Sequence, residues 1–166
     1  PEDMVSIRIW AEPQRLISVQ LRDLRGVAEM RQHLESGSGP IDIGDLIATF
    51  VEGSIARMSP VMRDLADSID EMEDRTLSAQ LHGLREEIVS MRRKTVIFNR
   101  FLAPQQDIVQ RLSQTELAPL DPNQRSRLLE AHNDIARFVE DLQALRERSH
   151  AVQDEIANML SERLNR

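Results

Sequence analysis

The sequence predicts a mainly α protein: an N-terminal β-hairpin, an antiparallel helical hairpin, then a very long C-terminal helix of coiled-coil type. Three observations carry that prediction. Apolar residues alternate with period two up to Leu21 and follow a helical period after it. Two long stretches then step by four and three residues on either side of a short break. The last stretch holds a heptad from Leu128 to Met159.

The hairpin comes first. In "MVSIRIWA" Val5, Ile7 and Ile9 fall on one side, with Ser6 and Arg8 on the other. "RLISVQL" alternates through Ile17, Val19 and Leu21, and "AEPQR" between them supplies a turn. A lone hairpin is marginal in water, so it is expected to lie on the helices or to belong to a larger sheet. A first helix over 21–35 carries Leu24, Val27, Met30 and Leu34, and "SGSGP" ends it. Gly37 or Gly39 takes the left-handed C-cap, and Pro40 blocks continuation. Asp42 or Asp45 then caps a second helix whose stripe runs Val51, Ile55, Met58, Met62, Leu65, Ile69, Met72, Thr76. Pro60 within it is expected to kink the helix or restart it near Ser59.

A tight turn around 75–79 leads to a third helix with Leu77, Leu81, Leu84, Ile88, Met91, Thr95, Phe98 and Leu102 on its stripe, resuming past Pro104 with Val109 and Leu112. "TELAPLDPNQ" (115–124) reads as a loop, with Asp121 an N-cap and Pro122 at the first helical position. The last helix places Leu128, Ile135, Leu142, Ser149 and Ile156 at one seam position and Ala131, Phe138, Leu145, Val152 and Met159 at the other. At 1.5 Å per residue, ~44 residues make a rod of roughly 65 Å, which outruns a small domain and calls for a partner.

Composition excludes several functions. Net charge is −7, against nucleic acid as a partner. There are no cysteines, which removes disulfides, thiolate metal sites and cysteine nucleophiles. No segment reads as a signal peptide, and the apolar runs fall far short of the ~20 residues that span a bilayer, so the chain reads as soluble. No phosphate loop, His-Glu-x-x-His or nucleophile elbow is present, so no enzyme is expected and no cofactor is required.

Charge is unevenly spread. Residues 45–78 hold eight acids against three arginines, and 79–112 hold six bases against three acids. That opposition predicts pairing between the second and third helices. "DSIDEMED" reads first as a solvated face, with attraction of divalent cations as the alternative. His82 with Glu86, and His150 with Asp154, stand four apart, a spacing that supplies two ligands to Zn or Mg from one helix face. His132 and His150 lie about 27 Å apart on one helix and cannot share an ion.

The opening forty residues, the "LAPQ" of Leu102–Gln105, "FLAPQQDIVQRL" and the final "VEDLQALRERSHAVQDEIANMLSERLNR" together resemble the CorA-type divalent-cation transporters, within them the ZntB-like zinc branch. The resemblance covers essentially the whole chain. It implies that 1–40 is the C-terminal remnant of a cytoplasmic α/β domain, 41–118 a helical hairpin, and 119–166 a stalk helix leading toward membrane spans. It implies a homopentameric funnel on the cytoplasmic side of a bacterial inner membrane, leading divalent ions to or from a pore. The family's Gly-x-Asn pore signature and both membrane helices are absent from this sequence, so no selectivity residue carries over. Zinc, magnesium and cobalt stay open as the ion, with "LAPQ" and the Ile17–Val19 strand leaning toward zinc. Both ends read as cuts in a longer protein, and the residues after Arg166 are expected to stay helical and turn apolar within a turn or two. Acids along the last helix (Glu140, Asp141, Glu147, Asp154, Glu155, Glu162) suit a wet, cation-attracting lumen. A soluble helical scaffold that binds a partner through its long helix is the alternative function.

Overall fold

A computed structural model describes residues 6–12, 14–115 and 120–165, without the side chains of Arg163 and Leu164. Val5 in the expected first strand, Pro13 in its turn, residues 116–119 of the expected loop, the Leu164 side chain and Arg166 lie outside the described residues. The order is β1 (Ile7–Glu12), β2 (Arg15–Gln20), α1 (Arg25–Glu35), α2 (Ile43–Leu77), α3 (Leu84–Gln114) and α4 (Pro122–Leu164). The mainly α architecture with its leading hairpin is the one the periodicities predict.

The strands pair antiparallel, with Ile7 opposite Gln20 and Trp10 opposite Ile17. That register puts Ile7 and Ile9 on one face and Ile17 and Val19, beside Trp10, on the other. Trp10 is 66% exposed and Val19 63%. Neither side chain is covered by the helices at these positions, so of the two expectations, packing on the helices or membership of a larger sheet, the first does not apply to this face.

Helix ends follow local chemistry. The α1 terminus closes as a Schellman motif: the Ser38 N–H donates to the His33 carbonyl and the Gly37 N–H to that of Leu34, with Gly37 at φ 72°. The end of α2 repeats it, Gln80 donating to Arg75 and Ala79 to Thr76, with Ala79 in the left-handed position at φ 55°. The turn therefore occupies 78–83, later than the 75–79 that the stripe suggested. Leu77 is 82% exposed and Leu81 precedes α3, so neither belongs to the third helix. Nor does His82: it sits in the turn, and the shared helix face expected for His82 and Glu86 does not form. Alanine in the αL position hides this turn from sequence, because the residue that normally marks it is glycine.

Neither Pro60 nor Pro104 ends or restarts its helix. Both are exposed, and the carbonyls that lose a donor, those of Ala56 and Arg100, belong to exposed residues where water can serve.

The chain divides into two compact units, one of Pro1–Met58 with Gln105–Ile135, the other of Ser59–Pro104 with Ala136–Arg166. The first buries Ile47, Ala48, Ile55, Val109, Leu120, Leu128, Ala131 and Ile135. The second buries Met62, Leu65, Ile69, Met72, Leu84, Ile88, Met91, Leu102, Leu142, Leu145, Val152 and Ile156, together with three hydroxyl residues, Thr76, Thr95 and Ser149. The hydroxyls of Thr76 and Ser149 donate to carbonyls four residues back, at 2.8 and 2.7 Å, which satisfies them inside the apolar core. No helix among the described residues is long and apolar enough to cross a membrane.

Candidate functional site

The long helix α4 carries the candidate site, and two arginines fix its orientation. In the first unit the Asp121 carboxylate accepts from the Gln124 N–H at 2.7 Å while the Gln124 carboxamide oxygen accepts from the Asp121 N–H at 3.0 Å, a reciprocal cap. Asp42 caps α2, accepting from the Asp45 N–H at 2.7 Å, while the Asp45 carboxylate accepts from the Ile41 N–H at 3.1 Å, and the Gln124 amide reaches across to Asp42 at 2.9 Å. Arg127 then donates to Asp45, to the Thr49 hydroxyl at 2.9 Å, and to Glu52 at 2.7 and 2.6 Å. Arg127 and Asp45 are about three-quarters shielded from water. The guanidinium hydrogen bond holds the Asp45 carboxyl below the usual carboxylate range, against the opposing effect of burial.

The second unit repeats the device. Arg148 donates to Glu73 at 2.7 and 2.6 Å and to Asp70. Hydrogen bonds to these two carboxylates raise the Arg148 pKa further, as those to Glu52 and Asp45 do for Arg127. The acids Asp45, Glu52, Asp70 and Glu73 of α2 are thus met by arginines of α4, and not by the bases of α3 as the segment charges suggest. The Arg75–Glu87 contact at 2.6 Å joins the two helices of the hairpin with the signs reversed. What decides is register: Arg127 and Arg148 stand three heptads apart on the flank of the α4 seam, and so do Glu52 and Glu73 on α2. That shared spacing was present in the sequence, whereas net charge per segment says nothing about which face a charge occupies.

With the seam buried and the arginine flank engaged, the opposite face of α4 in the second unit is left to solvent. Glu140, Ala144, Glu147, Ala151, Asp154, Asn158 and Glu162 follow one another at steps of four and three, and all are exposed. Asp141 and Glu155 are exposed beside them. None of these acids forms an ion pair among the described residues. The result is an acidic lane with small or amide side chains between the carboxylates. Such a lane concentrates cations by its field without building a dehydrated cage around them.

The expected metal ligands are divided between α4 and the turn that leads into α3. Asp154 is on it. The His150 Nε2 faces the Arg92 Nη2 at 3.3 Å, while the Arg92 Nη1 donates to the Gln153 side-chain oxygen at 2.6 Å, so α3 clasps α4 at this level. An ion taken by the His150 Nε2 has to displace that guanidinium. His82 is exposed in the turn and Glu86 on the first turn of α3. In the first unit the His132 Nδ1 lies 3.3 Å from the Gln106 carbonyl. Among the described residues no group of three or more His, Asp or Glu converges in a way that holds an ion.

Residues 1–166 match the family described as CorA-like Mg2+ transporter protein. The divalent cation transporter CmaX of Pseudomonas aeruginosa is 32% identical over 171 aligned residues, which take in 100% of this chain and 50% of that protein. A structure of full-length CmaX superposes with a TM-score of 0.89 at 29% identity, covering 98% of this chain and 50% of that one. The zinc transport protein ZntB of Yersinia enterocolitica is 27% identical over 166 residues, again 100% of this chain and 50% of the relative. The crystal structure of the ZntB cytoplasmic domain from Vibrio parahaemolyticus gives a TM-score of 0.81 at 26% identity, covering 98% of this chain and 64% of that one. The chain spans about half the length of the curated relatives it matches.

Proposed function

This chain belongs to the CorA-like family, a family of ion transporters and not of enzymes, and from that premise we propose that it forms the cytoplasmic funnel and stalk of a divalent-cation transporter whose ion is zinc. In this reading residues 1–40 close a cytoplasmic α/β domain, 41–118 form the helical hairpin, and 119–166 form the stalk. Five copies surround a central path at the bacterial inner membrane, and membrane spans follow the stalk.

The observation that carries the reading is the division of labour on α4. One side is a buried seam with Leu142, Ser149 and Ile156 at 4% exposure or less. Another is held by Arg148 against α2. The third is the acidic lane from Glu140 to Glu162, which lines the path and raises the local concentration of divalent cations. Zinc is favoured over magnesium by the likeness to the ZntB sequences and by the His150 imidazole on the same helix as the lane, since imidazole nitrogen suits zinc and magnesium prefers oxygen and water. His150 with Asp154 on α4, and Glu86 on α3 with His82 in the turn before it, are the candidate ligands for a passing ion, each completed by water or by another copy.

The test is ion flux into liposomes that hold the full-length protein. Saturable zinc entry that magnesium competes with weakly supports the proposal. Entry of magnesium alone overturns the choice of ion, and no flux of any divalent cation overturns the transport role and favours the scaffold alternative.

A further inference from the structure

The hairpin helices of the second unit carry two outward stripes of opposite sign that the chain itself leaves apart. On α3, Arg85, Val89, Arg93, Val96 and Arg100 follow at steps of four, four, three and four, which is one helix face. That face is opposite the buried Leu84, Ile88, Met91 and Thr95. All five residues are exposed, Val89 by 53% and Val96 by 52%, and the three arginines form no ion pair among the described residues. Glu86 borders the stripe near its start. On α2, Asp64, Asp67, Glu71 and Asp74 follow at steps of three, four and three, on the face opposite Leu65, Ile69 and Met72. All four are exposed and outside the Arg148 clamp, with Glu71 one turn from the Arg75 guanidinium, whose pKa it helps to raise.

In a chain of net charge −7, Arg85, Arg93 and Arg100 make a local positive face around two exposed valines, complementary in sign to the acids that another copy carries on α2. We infer that the basic α3 stripe of one copy docks on the acidic α2 stripe of the next. Surfaces on two different helices that complement each other make a heterologous, head-to-tail contact, the kind that builds a ring when its rotation closes. The valines supply the apolar centre and the arginine–carboxylate pairs set direction and register. An anionic bilayer would also attract the arginines, but it would leave the α2 acids without a partner, whereas a second copy satisfies both stripes at once. The inference rests on the proposed homo-oligomer and assigns its contact.

The chain lacks cysteine, so engineered thiols report contacts without background. Asp67→Cys and Val96→Cys chains, mixed under mild oxidation, are expected to form the mixed dimer on the order of tenfold faster than either forms with itself. Arg93→Glu with Arg100→Glu is expected to weaken association measured by sedimentation on the order of tenfold, and adding Asp67→Arg with Glu71→Arg in the same chain to restore it. Circular dichroism confirms that each variant is folded. Association that persists with no preferred mixed cross-link overturns the stripe contact and leaves homo-oligomerisation standing. A monomer at every concentration overturns both. Loss of binding to phosphatidylglycerol vesicles in Arg93→Glu/Arg100→Glu, with self-association unchanged, overturns the contact in favour of a membrane surface.

Discussion

Ala79 holds a backbone conformation that costs an L-residue about 1–2 kcal/mol and that Gly37 adopts freely at the equivalent place in α1. Ala79→Gly relieves that cost while adding roughly 0.5–1 kcal/mol of unfolded-chain entropy. The net expectation is a gain of about 0.5 kcal/mol, read as a higher Tm by calorimetry; Gly37→Ala moves Tm down. Arg127 makes the opposite case. Arg127→Met strands Asp45 and Glu52, and the loss is about 1–2 kcal/mol, below that of a buried pair because water reaches both partners. The pH dependence follows from the depressed Asp45 carboxyl. Its folded pKa lies below its unfolded one, so the stability it contributes is complete above the usual carboxylate range and is lost as pH falls through the folded value. Denaturant unfolding of the wild type should therefore fall off more steeply below about pH 4 than that of Arg127→Met.

Among the elements, the α4 seam was the most legible feature. Eight of its ten predicted positions are buried, with Phe138 and Met159 half-buried. Leu142→Ala is expected to cost about 2–5 kcal/mol, whereas Leu160→Ala, already 40% exposed, should change stability by less than about 0.5 kcal/mol. Chemical denaturation of the two variants checks the contrast. Caps were legible too: Asp42, Asp121 and Gly37 occupy the places their side chains or flexibility suit. The turn after α2 was not, because Leu77 and Leu81 extend an apolar rhythm that the chain spends on solvent and on the turn. Periodicity marks which residues share a face and cannot mark which face finds a neighbour.

The same limit governs the whole molecule. Segment charge suggested that α2 and α3 neutralise each other; instead Arg127 and Arg148 tie α2 to α4, Arg92 of α3 turns to α4, and Arg85, Arg93 and Arg100 stay at the surface. The site was half legible. The acids of α4 were visible as a set, but their ordering into one lane with Ala144, Ala151 and Asn158 becomes apparent only once the seam and the Arg148 flank are fixed. The Arg92 guanidinium against His150 had no signal in sequence, since the two are 58 residues apart and on different helices. The most direct test is the initial rate of zinc entry into liposomes bearing the full-length protein, compared with its Glu140→Gln/Glu147→Gln/Asp154→Asn variant. These residues are exposed and unpaired, so folding and assembly should be unchanged. The expected result is a rate lowered on the order of tenfold at low salt, with the gap narrowing as ionic strength rises and the lane's field is screened. An unchanged rate in a correctly assembled variant at low salt would contradict the acidic lane as the cation path.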